Sequence, residues 1–186
     1  GSKMAEIDGS ICSSCYANKG FYSMYQNTIK PAQFARLDAV MQALENSDNA
    51  QLWVSGIVAL IGSDSYFRWH DSGDIQGLWH LENIARVAEQ TPKTRHWLPT
   101  REYSIVKAYI DKHGKLPDNL IIRLSAMYVD KPVIVPKSLS RVKNITVSNV
   151  HTEKPIGTEC HAPKNKGQCG ECRVCWTDTP VSYLIH

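Results

Sequence analysis

The six cysteines of this chain are gathered at its two ends. Cys12 and Cys15 stand near the start, and Cys160, Cys169, Cys172 and Cys175 near the finish, with a long cysteine-free stretch between them. A disulfide scaffold would scatter bridges through a small secreted domain without a core. Two-residue gaps instead let neighbouring sulfurs turn toward one centre, which suits a metal better than a bond between them. Consecutive two-residue gaps recur in iron–sulfur ligation. Four thiolates equally satisfy tetrahedral zinc, so spacing leaves the metal open. Lys164, Lys166, Gly167 and Gly170 offer positive charge and glycine amides around the four. Cys12 and Cys15 cannot complete a thiolate-only site alone. They need a further ligand, a substrate, or two of the C-terminal thiols; otherwise they are a pair of inert thiols.

The other residues able to do chemistry follow short strand-like runs. Residues 66–70 end in His70 and are stopped by Asp71, Ser72, Gly73 and Asp74; residues 96–98 lead into Thr100, Arg101 and Glu102. Residues 120–127 offer Arg123 and Ser125, and 144–150 offer Ser148, Asn149 and the following His151. Loops are wet, so any one cluster is explained by solvation, but four in succession point to a site. His70, Asp71, Asp74, Arg101 and Glu102 are the candidate catalytic residues. Asp71 and Asp74 suit a general acid–base pair, or Asp74 is the cap of the helix that follows. His70, His96 and His151 are proton carriers or ligands by position, or hydrogen-bonded structural histidines. Trp69, Trp79, Trp97 and Trp176 could stack on a base, although buried tryptophans more often belong to a core.

Alternating helices and strands must position these groups. Residues 31–46 read as a helix, with Pro31 in its first turn and Phe34, Leu37, Val40, Met41 and Leu44 as one apolar stripe. Residues 52–61 read as a second, mostly buried helix, with a strand as the alternative for so short a run. Leu78, Leu81, Ile84, Ala85 and Ala88 stripe a third, and Ile105, Val106, Tyr109 and Ile110 a fourth that stops at His113-Gly114. This order predicts an α/β fold with parallel strands, whose site gathers at the strands' carboxyl ends. With 186 residues, 42% hydrophobic, the chain is long enough for one self-sufficient core. The longest apolar stretch is about half a bilayer span, and no signal peptide opens the sequence, so neither membrane nor secretory route is expected. A net charge of +3 permits nucleic acid without arguing for it.

Several dissimilar runs, GSICSSCYANKGFY (9–22), YFRWHDSGD (66–74), HWLPTRE (96–102), LIIRLSAM (120–127) and CGECRVCW (169–176), resemble the phage family called gene product 88. More distantly, the early cysteine–tyrosine–alanine and the glycine–aspartate and threonine–arginine strand ends are similar to radical S-adenosylmethionine enzymes. That likeness implies a partial (β/α) barrel with a [4Fe–4S] cluster at its mouth. It makes Cys12 and Cys15 two cluster ligands. The third cysteine of such enzymes is absent, so the resemblance implies a further cysteine upstream of Gly1, or else Gly1-Ser2 is a cloning scar. Gly73 and Asp74 would meet the methionine moiety of S-adenosylmethionine, with Tyr16, Arg123 and Ser125 completing the cofactor-binding set.

The expectation is therefore a partial-barrel domain over residues 1–155 and a Cys-rich metal-binding tail over 156–186 packed upon it. All six cysteines are expected metal ligands. The expected activity is that of a phage-encoded radical-type iron–sulfur enzyme in the cytoplasm of the infected bacterial host, acting on a small molecule or nucleic acid. The alternatives are a non-catalytic iron–sulfur protein that carries electrons or binds a host protein, and a zinc-stabilised nucleic-acid module in which Lys164, Lys166 and Arg173 touch phosphates.

Overall fold

A computed structural model describes residues 2–15 and 20–185. The elements in chain order are α1 (Ser2–Ala5), α2 (Gly20–Met24), α3 (Gln26–Gln42), α4 (Ser47–Ile61), β1 (Tyr66–Arg68), α5 (Leu78–Gln90), β2 (Arg95–Thr100), α6 (Tyr103–His113), β3 (Leu120–Ser125), β4 (Ile145–His151), β5 (Thr158–Glu159) and β6 (Val181–Leu184). Two single 3-10 turns, Ala162–Asn165 and Val174–Trp176, lie between the last two strands. The strands form one six-stranded sheet in the order β1-β2-β3-β4-β6-β5. Every pairing is parallel, and the sheet curls into a half-barrel.

Local sequence explains the frame. Central β3 is buried along almost its whole length, as a parallel strand covered on both faces must be, and its run of Leu and Ile supplies that surface. In α5, Leu81, Ile84, Ala85 and Ala88 point into the core between helix and sheet, joined there by Leu98, Val106, Leu120 and Leu124. Helix α6 stops where Gly114 takes the left-handed conformation at φ 77°, which costs glycine least. Between β3 and β4 the chain crosses without a helix, anchored by buried Leu139.

Two helices differ from the sequence reading. The first begins at Gln26, so Pro31 lies in its interior rather than its first turn. Its expected inward stripe faces outward: Phe34 is 62% exposed, Leu37, Met41 and Leu44 are exposed too, and α3 buries none of its residues. Helix α4 starts earlier than expected because Asn46 caps it, its Oδ1 accepting from the Asn49 N–H at 2.8 Å. Of its residues only Val54 and Ile61 are buried, while Leu52 and Leu60 are exposed, so it is not the mostly buried helix expected. Periodicity reveals a face but not whether another element covers it.

The strands keep their expected places with shifted ends. β1 stops before His70, whose φ of 52° breaks the extended run, although the Trp69 N–H still donates to the Trp97 carbonyl at 2.9 Å. Strands β5 and β6 were not anticipated, being two and four residues long. They draw the C-terminal segment into the sheet, where the Cys160 N–H donates to the Ser182 carbonyl at 2.8 Å. Among the described residues, no helix is long and apolar enough to cross a membrane.

Candidate functional site

A cavity of about 770 Å³ opens at the carboxyl ends of the parallel strands. β1 and the loop after it bring Arg68, His70 and residues 71–74; β2 brings Thr100 and Arg101, β3 Ser125, and β4 Ser148 and Asn149. The two cysteine groups meet here, for Cys15 from the N-terminal segment and Cys160, Cys169 and Cys175 from the tail line the same space.

The two carboxylates of the expected acid–base pair meet different partners. Asp74 Oδ1 accepts from Thr100 Oγ1 at 2.5 Å and from the Ile75 N–H at 2.8 Å, while Oδ2 accepts from the Arg101 N–H at 2.8 Å. It fastens the loop after β1 to the end of β2. It is not the cap of α5 either, since Gly77 holds that position. Asp71 is exposed, 3.8 Å from Arg68 Nη1 and bonded by the Tyr22 hydroxyl. His70 keeps a buried Nδ1 without a hydrogen-bond partner, and burial lowers its pKa against the opposing pull of Asp74. Its ring lies 5.6 Å from that of His80, which burial pushes down to about 3.

The remaining expected residues divide. Arg101 lines the cavity and its Nε donates to the Ala126 carbonyl at 3.1 Å. Glu102 begins α6 and does not line the cavity. Gly73 lies at the cavity with φ 88° and open space where a Cβ would stand. Ser125 faces it too, 3.3 Å from Ser148 Oγ. Tyr16 lies outside the described residues.

Arg123, expected to bind cofactor, does not line the cavity. It is wholly buried, donating through Nη1 to the carbonyls of Val147 (2.8 Å) and Thr179 (2.9 Å). Through Nη2 it reaches those of Thr177 (3.0 Å), Cys175 (3.3 Å) and Val174 (3.4 Å). Its guanidinium thus holds the segment after Cys175 inside the half-barrel, where Thr146 Oγ1 adds a bond to the Asp178 carbonyl at 2.6 Å. Trp176 completes the attachment, donating to the Phe67 carbonyl at 3.0 Å and meeting the Trp97 ring edge-on at 5.3 Å. Trp69 is core, its indole N–H donating to His96 Nδ1 at 3.2 Å. His96 is buried, with Nε2 2.8 Å from Thr91 Oγ1 and a pKa lowered by burial to about 4. His151 is buried beside Ser182 Oγ at 2.7 Å, a packing rather than a cavity position.

The six thiols are unbridged. Cys12 is buried and Cys172 exposed, and neither lines the cavity. Burial raises the Cys175 thiol, opposed by its contact with the Tyr183 hydroxyl at 3.3 Å and by Arg123. Burial also raises Cys160, which the Ala162 N–H opposes and which Cys169 and Cys172 push up further. These tail thiols are therefore near enough to act on one another. Among the described residues, no three Cys, His, Asp or Glu side chains are gathered tightly enough to hold one metal ion. Tyr183 escaped the sequence reading; the apolar, β-prone run 181–185 that carries it was the available signal.

A curled parallel α/β sheet, with thiols and polar strand ends around one cavity, defines the class of protein. A family model described as gene product 88 matches residues 7–178, and the chain belongs to that family. No curated protein and no solved structure matches it.

Proposed function

We propose that this chain is an iron–sulfur enzyme of radical S-adenosylmethionine type, acting in a bacterial host's cytoplasm during phage infection. The observation that carries this reading is that tail thiols share one cavity with the polar ends of β1 to β4. The donor set fits such a centre, since thiolates are the ligands iron–sulfur clusters take, and the cavity of about 770 Å³ leaves room for a ligand beside it. The thiols would close on the centre as it binds, by the usual coupling of metal binding to local folding. When bound, a reduced cluster supplies an electron for the cleavage of S-adenosylmethionine.

The chain's own residues would then bind and orient. Arg101 and Arg68 present guanidinium groups suited to a carboxylate. Gly73, with nothing standing where its Cβ would be, lets a ligand approach the backbone. Asp74 is a positioning residue, keeping Arg101 and the loop with Gly73 in register. The zinc-stabilised nucleic-acid reading is less well served. Lys164 pairs with Glu159 at 2.9 Å, and Arg173 turns back onto the carbonyls of Gly170 and Cys172.

The test is to reduce anaerobically prepared protein in the presence of S-adenosylmethionine. Release of methionine and a 5′-deoxyadenosyl product is expected. Cluster reduction without cleavage would instead identify a non-catalytic iron–sulfur protein.

A further inference from the structure

Two arginines line the cavity, and their charges are met differently. Arg68 faces Asp71 Oδ1 at 3.8 Å and stacks on the Trp97 ring, 4.9 Å from its centroid. Arg101 forms no ion pair among the described residues; its side chain makes a single hydrogen bond, from Nε to the Ala126 carbonyl at 3.1 Å. The geometry points to Arg101 and Ser125 as a subsite for an oxyanion of a small-molecule substrate, a carboxylate or a phosphate ester. This rests on the proposed reading only in placing a ligand in the cavity, and it deepens that reading by naming the charge the substrate carries.

Three observations support it. With Nε fixed and the backbone N–H held by Asp74 Oδ2 at 2.8 Å, the half-buried guanidinium keeps Nη1 and Nη2 unspent. Those two amino groups form the planar fork that grips two oxygens of one carboxylate or phosphate. Second, Ser125 directly precedes the residue whose carbonyl anchors Arg101, and it lines the same cavity. Its Oγ lies 3.3 Å from that of Ser148, and two hydroxyls sharing one hydrogen bond leave a proton for a ligand. Third, the wall around Arg101 is short of free acceptors. Asp74 already accepts from Thr100 Oγ1 and from the Ile75 and Arg101 N–H groups, while the indole N–H of Trp97, a residue only 7% exposed, has no acceptor at all. Buried donors are seldom left unpaired, so oxygens for this wall have to arrive with a ligand. The cofactor reading uses the loop after β1, at Gly73; Arg101 and Ser125 stand instead at the ends of β2 and β3.

Arginine mapping of the metal-free full chain with phenylglyoxal tests this without a variant that has to fold. Each arginine is scored by peptide mass spectrometry in inorganic phosphate, acetate, S-adenosylmethionine or chloride, at equal ionic strength. The expected pattern is at least a tenfold slower modification of Arg101 in phosphate or in acetate than in chloride, with Arg68 and Arg173 unchanged. The anion that protects at the lower concentration names the substrate's charged group. Ser125→Ala should raise the protecting concentration at least threefold. Equal slowing of every arginine, or protection of Arg68 in place of Arg101, would overturn the proposal. Protection of Arg101 by S-adenosylmethionine and by neither anion would also overturn it, giving the residue to the cofactor. Cleavage of S-adenosylmethionine by the reduced iron-loaded protein, with Arg101 unprotected, would remove the subsite and leave the iron–sulfur reading standing. Protection of Arg101 in a chain that takes up no iron would keep the subsite and overturn the iron–sulfur reading.

Discussion

Asp71 and Asp74 are three positions apart and of one residue type, yet they do different work. Asp74 accepts three hydrogen bonds, two of which tie the loop after β1 to the end of β2, and Asp71 stands exposed beside Arg68. Asp74→Asn turns an amide toward the Arg101 N–H, leaving a donor against a donor, and should cost about 1–3 kcal/mol of stability in urea unfolding. Asp71→Asn should stay within about 0.5 kcal/mol, as exposed substitutions usually do. Equal losses for the two would show that Asp74 does not bind the loop as described. The sequence placed both residues at a strand end but could not separate them, because the deciding partners, Thr100 and the Arg101 N–H, are more than twenty residues away. The place of Arg123 away from the cavity was hidden for the same reason. A polar residue in a strand suggests a ligand, whereas the carbonyls it meets belong to a segment some fifty residues later.

At the scale of elements, α3 and α5 both carry apolar residues at helical spacing, but only α5 gathers them onto one face and buries it. Leu81 of α5 is wholly buried, while Phe34 of α3 is 62% exposed. Leu81→Ala should therefore lose about 2–5 kcal/mol, by lost burial and the cavity left behind. Phe34→Ala should lose no more than about 0.5 kcal/mol. Both are read from urea midpoints of the full chain. A large loss at Phe34 would mean that the α3 stripe is covered in solution. Helix positions and the first four strands were legible because apolar periodicity switches cleanly between helix and strand spacing. What covers each face was not, since a stripe carries no record of its partner. β5 and β6 were too short to show a period at all.

For the whole molecule, burial of neutral imidazoles sets the acid limit. His80 and His96 have pKa values lowered from 6.5 to about 3 and about 4, chiefly by burial. The unfolded chain protonates them below pH 6.5 while the folded chain resists, so their contribution is complete above that value and declines as pH falls toward 4 and then 3. Unfolding in urea at pH 7 and pH 5 should differ by roughly 1–2 kcal/mol for each histidine, and His96→Gln should shrink the difference. A pH-independent midpoint would contradict the buried, neutral assignment. The parallel α/β plan and the rim of polar strand ends were readable from alternating elements. That both chain ends reach one cavity was not, because it depends on β6 joining β4 and on Arg123 holding the tail inside the half-barrel. The central claim is that this cavity holds an iron–sulfur centre. Counting iron, acid-labile sulfide and zinc in anaerobically prepared protein tests it most directly. About four irons and four sulfides per chain, in a brown protein, are predicted for a cubane cluster. A colourless protein carrying stoichiometric zinc, or no metal after reconstitution, would contradict it.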